Sequence, residues 1–204
     1  MNKGHQYEVS LYGVFSPVDL KAILDRMTLH SESSAPLHLR EVVFEPLVRP
    51  ADAPVDQGIL HAQKDTTEDK SSWVLYSYLK PESSRVYPEA MVRPWATCLV
   101  QGDGLAFASA LGYVRRSEVY KRGFVFRRNG LVIQIFQIEH VDPKTAQPIP
   151  AHVDSLWKVE VKNAAPVRNT QELPLVKNSI AAILEVQLMM KGLLDLRRED
   201  ILAT

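Results

Sequence analysis

The residues able to do chemistry in this chain are its carboxylates, histidines and strand-borne basic groups, and their spacing limits what that chemistry could be. A divalent cation held by a strand needs carboxylates two positions apart, so that both project to one face. Glu8 opens such a pattern but is followed at that spacing by Ser10 and Tyr12, while Glu160 stands between Lys158 and Lys162. No Glu-x-Glu pair falls on an expected strand, so a metal would be short of hard oxygen ligands. Arg116, Glu118 and Arg122 share a second strand face, so basic groups for a phosphate are on hand without the metal. The histidines at 5, 30, 38, 61, 140 and 152 have no recognised ligand spacing. Gly102-Asp103-Gly104 lacks the third glycine and the Lys-Ser/Thr of a phosphate loop, and reads as a strand-to-helix turn capped by Asp103. No Gly-x-Ser-x-Gly elbow occurs. Cys98, the single cysteine, lies in an expected strand and is taken as a buried, inert thiol. No cofactor or metal is expected.

Charge and hydropathy narrow the partners. Lys and Arg total 24 against 24 Asp and Glu, so no global field draws nucleic acid, and direct nucleic-acid binding is not expected. The pairs Arg115-Arg116, Lys121-Arg122 and Arg127-Arg128 fall on strands that split each pair between two faces. No apolar run approaches the ~20 residues of a membrane span. The leading MNKGHQYEVS lacks the apolar stretch of a signal peptide, which with a lone cysteine reads as soluble and intracellular.

The elements that position these groups are organised around Phe107 to His140. Phe107, Ala110 and Leu111 sit at helical spacing, Gly112 can take the left-handed cap, and two β-rich runs flank Asn129-Gly130. Asn-Gly between such runs predicts a hairpin with a type I′ turn. On its second strand Leu131, Ile133 and Ile135 face one way, and Val132, Gln134, Phe136 and Ile138 the other. A strand apolar on both faces predicts a core on one side and an enclosed channel or a partner on the other. Upstream, a strand over 7–15 precedes a helix to about Leu29 with Ser16 and Asp19 at its start and Pro17 in its first turn. Ser31 to Pro36 is expected as loop, and strands follow over 37–45, 58–63, 73–79 and around 96–100. Prolines 46, 50 and 54 break the chain, and Lys64 to Ser72 reads as a loop tip. Asp142 to Ser155 is expected to be irregular, and Leu156 to Lys162 is a strand. A long helix over about 170–198 closes the chain, with Thr170 as cap, Glu172 and Pro174 in its first turn and Lys191, Arg197 and Arg198 at its end. Ile180, Ile183, Leu184, Leu188, Met190, Leu193 and Leu194, with Met189 beside them, form its apolar face. The expected fold is α+β: one domain over 1–204, a largely antiparallel β-barrel with flanking helices.

The strand YEVSLYGVF with its following helix, and the segment LGYVRRSEVYKRGFVFRRNGLVIQIFQI, resemble subunit 18 of the Mediator complex of RNA polymerase II transcription, fungal type. The terminal helix matches that family in position and character. The resemblance implies a barrel shaped like the tunnel triphosphatases but without their activity. It also implies a nuclear coactivator role in the Mediator head module, as a partner of Mediator subunit 20 and of the C-terminal helix of subunit 8, and through the head of RNA polymerase II. It supplies no contact residues. From the residues alone, Tyr76, Tyr78, Trp95, Tyr120, Phe124, Phe126, Phe136, Ile138 and Trp157 are the candidates for a partner-binding groove, since large aromatics dominate interface energetics. The alternative is a metal-dependent phosphohydrolase of the tunnel type, which Glu8 and Glu160 would serve.

Overall fold

A computed structural model describes residues 6–48, 58–67, 71–168 and 173–199. The chain runs β1 (Gln6–Phe15), a 3₁₀ turn (Pro17–Asp19), α1 (Leu20–Leu29), β2 (Ser33–Pro46), β3 (Leu60–Asp65), β4 (Trp73–Tyr78) and β5 (Met91–Val100). Then come α2 (Gly104–Ala110), β6 (Tyr113–Arg128), β7 (Leu131–Val141), β8 (Pro148–Ile149), β9 (Trp157–Asn163), β10 (Val167–Arg168) and α3 (Leu173–Met190). Every pairing is antiparallel. The order β1-β5-β4-β3-β2-β6-β7-β9 returns to β1, which closes an eight-stranded barrel. Closure removes the sheet edges that an open sheet would expose. The hairpin of β6 and β7 turns at Asn129 and Gly130, both at positive φ (46° and 73°), as the type I′ turn requires.

Closure turns one face of each strand to the lumen, and the helices bury part of the other. On the outside, Tyr7, Val9, Leu11 and Phe15 of β1, Leu131, Ile133 and Ile135 of β7, and Val159 and Val161 of β9 pack beneath α1 and α3, which contribute Ile23, Met27, Val176, Ile183, Val186 and Met190. A second outer cluster seats α2 through Ala108 on Val42, Phe44, Trp73 and Leu75. Each buried Leu, Ile or Phe there is worth ~1.5–3 kcal/mol, and this burial fixes the helices to the wall. The opposite faces of the same strands line the lumen.

Several expectations are corrected. Neither Ser16 nor Asp19 caps with its side chain. The stretch Ser31 to Pro36 is not all loop, because β2 already begins at Ser33. There it pairs with β6 alone, pairing with β3 starting only at Leu39, and a proline is admissible where one edge is free. Lys64 and Asp65 belong to β3, and Pro148–Ile149 form a short strand on β7. Asp103 does cap α2, accepting from the backbone N–H groups of Leu105 and Ala106, and Gly112 takes the left-handed conformation. The buried side of α2 is Gly104 and Ala108, however, while Phe107 and Leu111 stand exposed. Cys98 is exposed rather than buried, on the half of β5 that continues past its pairing with β1.

The terminal helix stops at Met190 rather than near Arg198, because Gly192 takes a left-handed conformation (φ +87°) that ends it. The chain then folds back along β1. Leu194 and Leu196 enter the core, and Arg197 exchanges backbone hydrogen bonds with Tyr12 at 2.8 and 3.0 Å. Pro174 lies in the first turn of α3. His5, Pro50, Pro54, Thr170 and Glu172 lie outside the described residues.

Candidate functional site

The lumen gathers most of the polar chemistry of the molecule. β1 places Glu8, Ser10 and Tyr12 on its inner face by strict alternation. β2 contributes Glu41, β3 His61, β4 Tyr76 and Tyr78, β5 Arg93 and Trp95, β6 Lys121, β7 Gln134 and Phe136, and β9 Glu160 and Lys162.

Lys121 is the centre of this set. Its ammonium lies 3.0 Å from Glu41 Oε2 and 3.2 Å from Glu160 Oε1, with the Phe136 ring 4.8 Å away. The other oxygen of Glu41 accepts from the Tyr76 hydroxyl at 2.8 Å and faces His61 Nδ1 at 3.0 Å. Lys162 spans Glu8 and Glu160 at 3.9 and 3.8 Å. Glu8 accepts from the Tyr78 hydroxyl at 3.2 Å, and the Arg93 guanidinium sits 4.0 Å from the centre of the Tyr78 ring. Tyr76, Tyr78, Trp95 and His61 form a cluster of ring contacts at 4.8–6.2 Å.

Electrostatics follow from this crowding. Burial pushes the Glu41 carboxyl up, but the Lys121 ammonium and the His61 hydrogen bond overcome it and hold the group well below the usual carboxylate range. Glu160 is lowered in the same contest, burial against Lys121 and Lys162. Burial pulls Lys121 down, and Glu160 and Glu41 more than reverse it. Tyr12, Tyr76 and Tyr78 are raised by burial and by nearby carboxylates, so their hydroxyls stay protonated; those of Tyr76 and Tyr78 donate to Glu41 and Glu8, while that of Tyr12 accepts from Ser10 and Arg93. Lys121 and Lys162 therefore meet the three carboxylates Glu8, Glu41 and Glu160, and Arg93, over the Tyr78 ring and beside the Tyr12 hydroxyl, brings the cations of the lumen to three as well. A metal site needs carboxylates turned to a common point, and among the described residues no group of three or more His, Cys, Asp and Glu side chains is so placed. The carboxylates instead surround lysines.

The nine aromatic and aliphatic candidates do not form one groove. Tyr76, Tyr78, Trp95, Phe136 and Ile138 face inward, and Phe126 is buried beneath α1 in the outer core. Tyr120, Phe124 and Trp157 lie on the outer wall, with Phe124 and Phe15 both stacked on Trp157 at 6.2 and 6.3 Å. Phe124, at 36% exposed, is the most open of them. Sequence reasoning missed Glu41, His61, Arg93, Lys121 and Gln134 as lumen residues. A signal was present at Lys121, which alternates with Val119, Gly123 and Val125: a lone charge on an apolar strand face has to find an opposite charge inside. Outside the barrel, a pocket of about 580 Å³ lies between the end of α3 and the returning tail, lined by Gln187, Leu188 and residues 191–196.

Comparisons with known proteins agree with this architecture. A chain of the Schizosaccharomyces pombe Mediator head module superposes with a TM-score of 0.78 at 16% identity, over 95% of this chain and 98% of that one. A Pyrococcus horikoshii protein gives 0.58 at 13% identity, over 95% and 94%. A Hippeastrum protein described as a putative adenylyl cyclase with dominant triphosphatase activity gives 0.53 at 12% identity, over 97% and 92%. At such identities these likenesses describe the fold alone. No curated protein matches the sequence. The model of the Med18 protein family matches residues 8–203, and the chain belongs to that family.

Proposed function

We propose that the chain is a non-catalytic subunit of the Mediator head module, acting in the nucleus as a scaffold for regulated transcription by RNA polymerase II. Family membership supports the complex, and the lumen supports the absence of catalysis. The observation that carries the second point is Lys121 lodged between Glu41 and Glu160, which occupies the carboxylates that a triphosphate enzyme would turn toward metal. The tunnel-phosphohydrolase reading rests on shape only, and Glu8 and Glu160 are both engaged by Lys162.

The partners we propose are Mediator subunit 20 and the C-terminal helix of subunit 8. Two outer features suit them. Phe124 and Trp157 offer an aromatic wall. Leu188 stands 72% exposed on α3 at the lip of the pocket beside the tail, where an apolar anchor of a partner helix can seat. Phe136 and Tyr76 are buried in the barrel, which favours the exposed outer residues as the contacts.

Co-expression with subunit 20 and the C-terminal segment of subunit 8, read by size exclusion with light scattering, tests this. The expected result is a stoichiometric complex that Phe124→Asp weakens without unfolding the barrel. A monodisperse monomer in the presence of both partners would overturn the assignment.

A further inference from the structure

The chain is neutral overall, yet β6 alone carries Arg115, Arg116, Lys121, Arg122, Arg127 and Arg128 against a single acid, Glu118. Lys121 is consumed in the lumen. The outer wall formed by β2, β6 and β7 between α2 and Phe124 lies outside the cores that α1, α2 and α3 cover, and there the arginines are layered over carboxylates in a particular way. Glu118 and Glu139 have side chains only 6% and 8% exposed, whereas those of Arg115 and Arg122 above them are 49% and 50% exposed. The acids lie beneath and the guanidinium groups face out.

The attachment of these guanidiniums matters. Arg40 meets Glu118 through Nε at 2.6 Å, and Arg122 meets Glu139 through Nε at 3.1 Å. Neither uses its terminal amino groups for a hydrogen bond among the described residues. A guanidinium held side-on through Nε is immobilised, while the outward pair of amino groups remains available to take a carboxylate in a two-point contact. Arg40 is further fixed 5.6 Å from the Trp73 ring. Next to them the pairing of β2 with β6 slips: Arg115 opposes Phe44 and Ser117 opposes Val43, so Arg116 is a bulge residue, exposed and without an ion-pair partner among the described residues. Bulges re-aim side chains and recur beside functional surfaces. Arg40, Arg115, Arg116 and Arg122 set against Glu118 and Glu139 leave this wall two charges positive.

We propose that this arginine wall is a docking surface for an acidic peptide segment, whose carboxylates engage the amino groups of the half-exposed Arg122 and the bulged, exposed Arg116, with Arg40, 30% exposed, beside them. The inference goes beyond the assembly role and does not depend on it. A peptide suits the wall better than single-stranded nucleic acid. The Phe124 ring that could stack a base is already stacked on Trp157, and two net charges on a neutral protein give little pull on a phosphate backbone.

The test uses the full chain and a short fluorescent peptide alternating glutamate and valine, read by anisotropy. Its glutamine counterpart and an oligouridylate of equal length serve as controls. Arg116→Glu changes an exposed side chain with no described ion pair, and Arg122→Gln removes one fork while lowering the net charge by one. Lys177→Glu, on the exposed side of α3, repeats the charge change of Arg116→Glu elsewhere. The expected result is binding of the glutamate peptide alone, weakened about tenfold or more by Arg116→Glu, the loss of one charged hydrogen-bonding contact, and unchanged by Lys177→Glu. Should Arg122→Gln fail to fold, Arg116→Glu carries the comparison. Absence of binding, an equal loss with Lys177→Glu, or oligouridylate bound as tightly and with the same sensitivity to Arg116→Glu would each overturn the proposal.

Discussion

Lys121 is the residue on which the interior depends. A buried ammonium between two carboxylates is held by opposite charge on both sides, and removing it strands Glu41 and Glu160 together in a low-dielectric space. Lys121→Met is therefore expected to cost about 3–5 kcal/mol in denaturant-induced unfolding. Glu41→Gln should cost less, because its amide can still accept from Tyr76 and Lys121 keeps Glu160. The same groups set the pH limits. Glu41 and Glu160 are depressed in the folded state, so their contribution is present above the ordinary carboxylate value of 4.5 and is lost as pH falls below it. Lys121 is raised, so its contribution is present below 10.5 and is lost as pH rises beyond that value. Thermal melts across pH should show a plateau between these limits and a steep acid limb that Glu41→Gln makes shallower. The sequence showed that Glu8 shares a strand face with Ser10 and Tyr12, and Glu160 one with Lys158 and Lys162, because alternation on one strand suffices for that. It could not show that Glu41, Lys121 and His61 converge, since that depends on the order in which distant strands close.

Among the elements, the tail after α3 does the most that sequence reading did not foresee. Helical periodicity continues through Leu193 and Leu194, and only the conformation of Gly192 breaks it, so the long helix and the returning segment have the same apolar pattern. The tail lies directly over Gly13. A Cβ built there would stand 2.9 Å from the Asp195 carbonyl oxygen and 3.0 Å from Leu194. Gly13→Ala should displace the tail and cost about 1–3 kcal/mol of stability, seen as a lowered melting temperature. Arg198 strengthens the same latch by donating to the carbonyls of Glu82 and Tyr87 in the connection before β5. On α3, Leu188→Glu changes an exposed residue and should leave the unfolding free energy within about 0.5 kcal/mol of the parent value. It should weaken the complex with the subunit 8 segment in the co-expression experiment. By contrast, the hairpin at Asn129-Gly130 and the capped α2 were legible because their signals are local. The burial of α2 was not: its exposed Phe107 and Leu111 look like a core stripe until the small Gly104 and Ala108 are seen against Trp73.

At the scale of the whole molecule, one barrel carries two chemistries: an outside apolar enough to hold three helices, and an inside polar enough to resemble an active site. Double-faced strands such as β7 announced the closure, but whether the enclosed space was reactive depended on how its charges pair. The carboxylates pair with lysines, Glu41 and Glu160 with Lys121, and Glu8 and Glu160 with Lys162. The account is tested most directly by incubating the purified chain with nucleoside triphosphate and magnesium or manganese and measuring released phosphate, alongside Glu41→Gln and Glu160→Gln. It predicts no metal-dependent release above background in any of the three proteins. Release that requires the metal and disappears in either variant would contradict it, and would make the lumen an active site rather than a polar core.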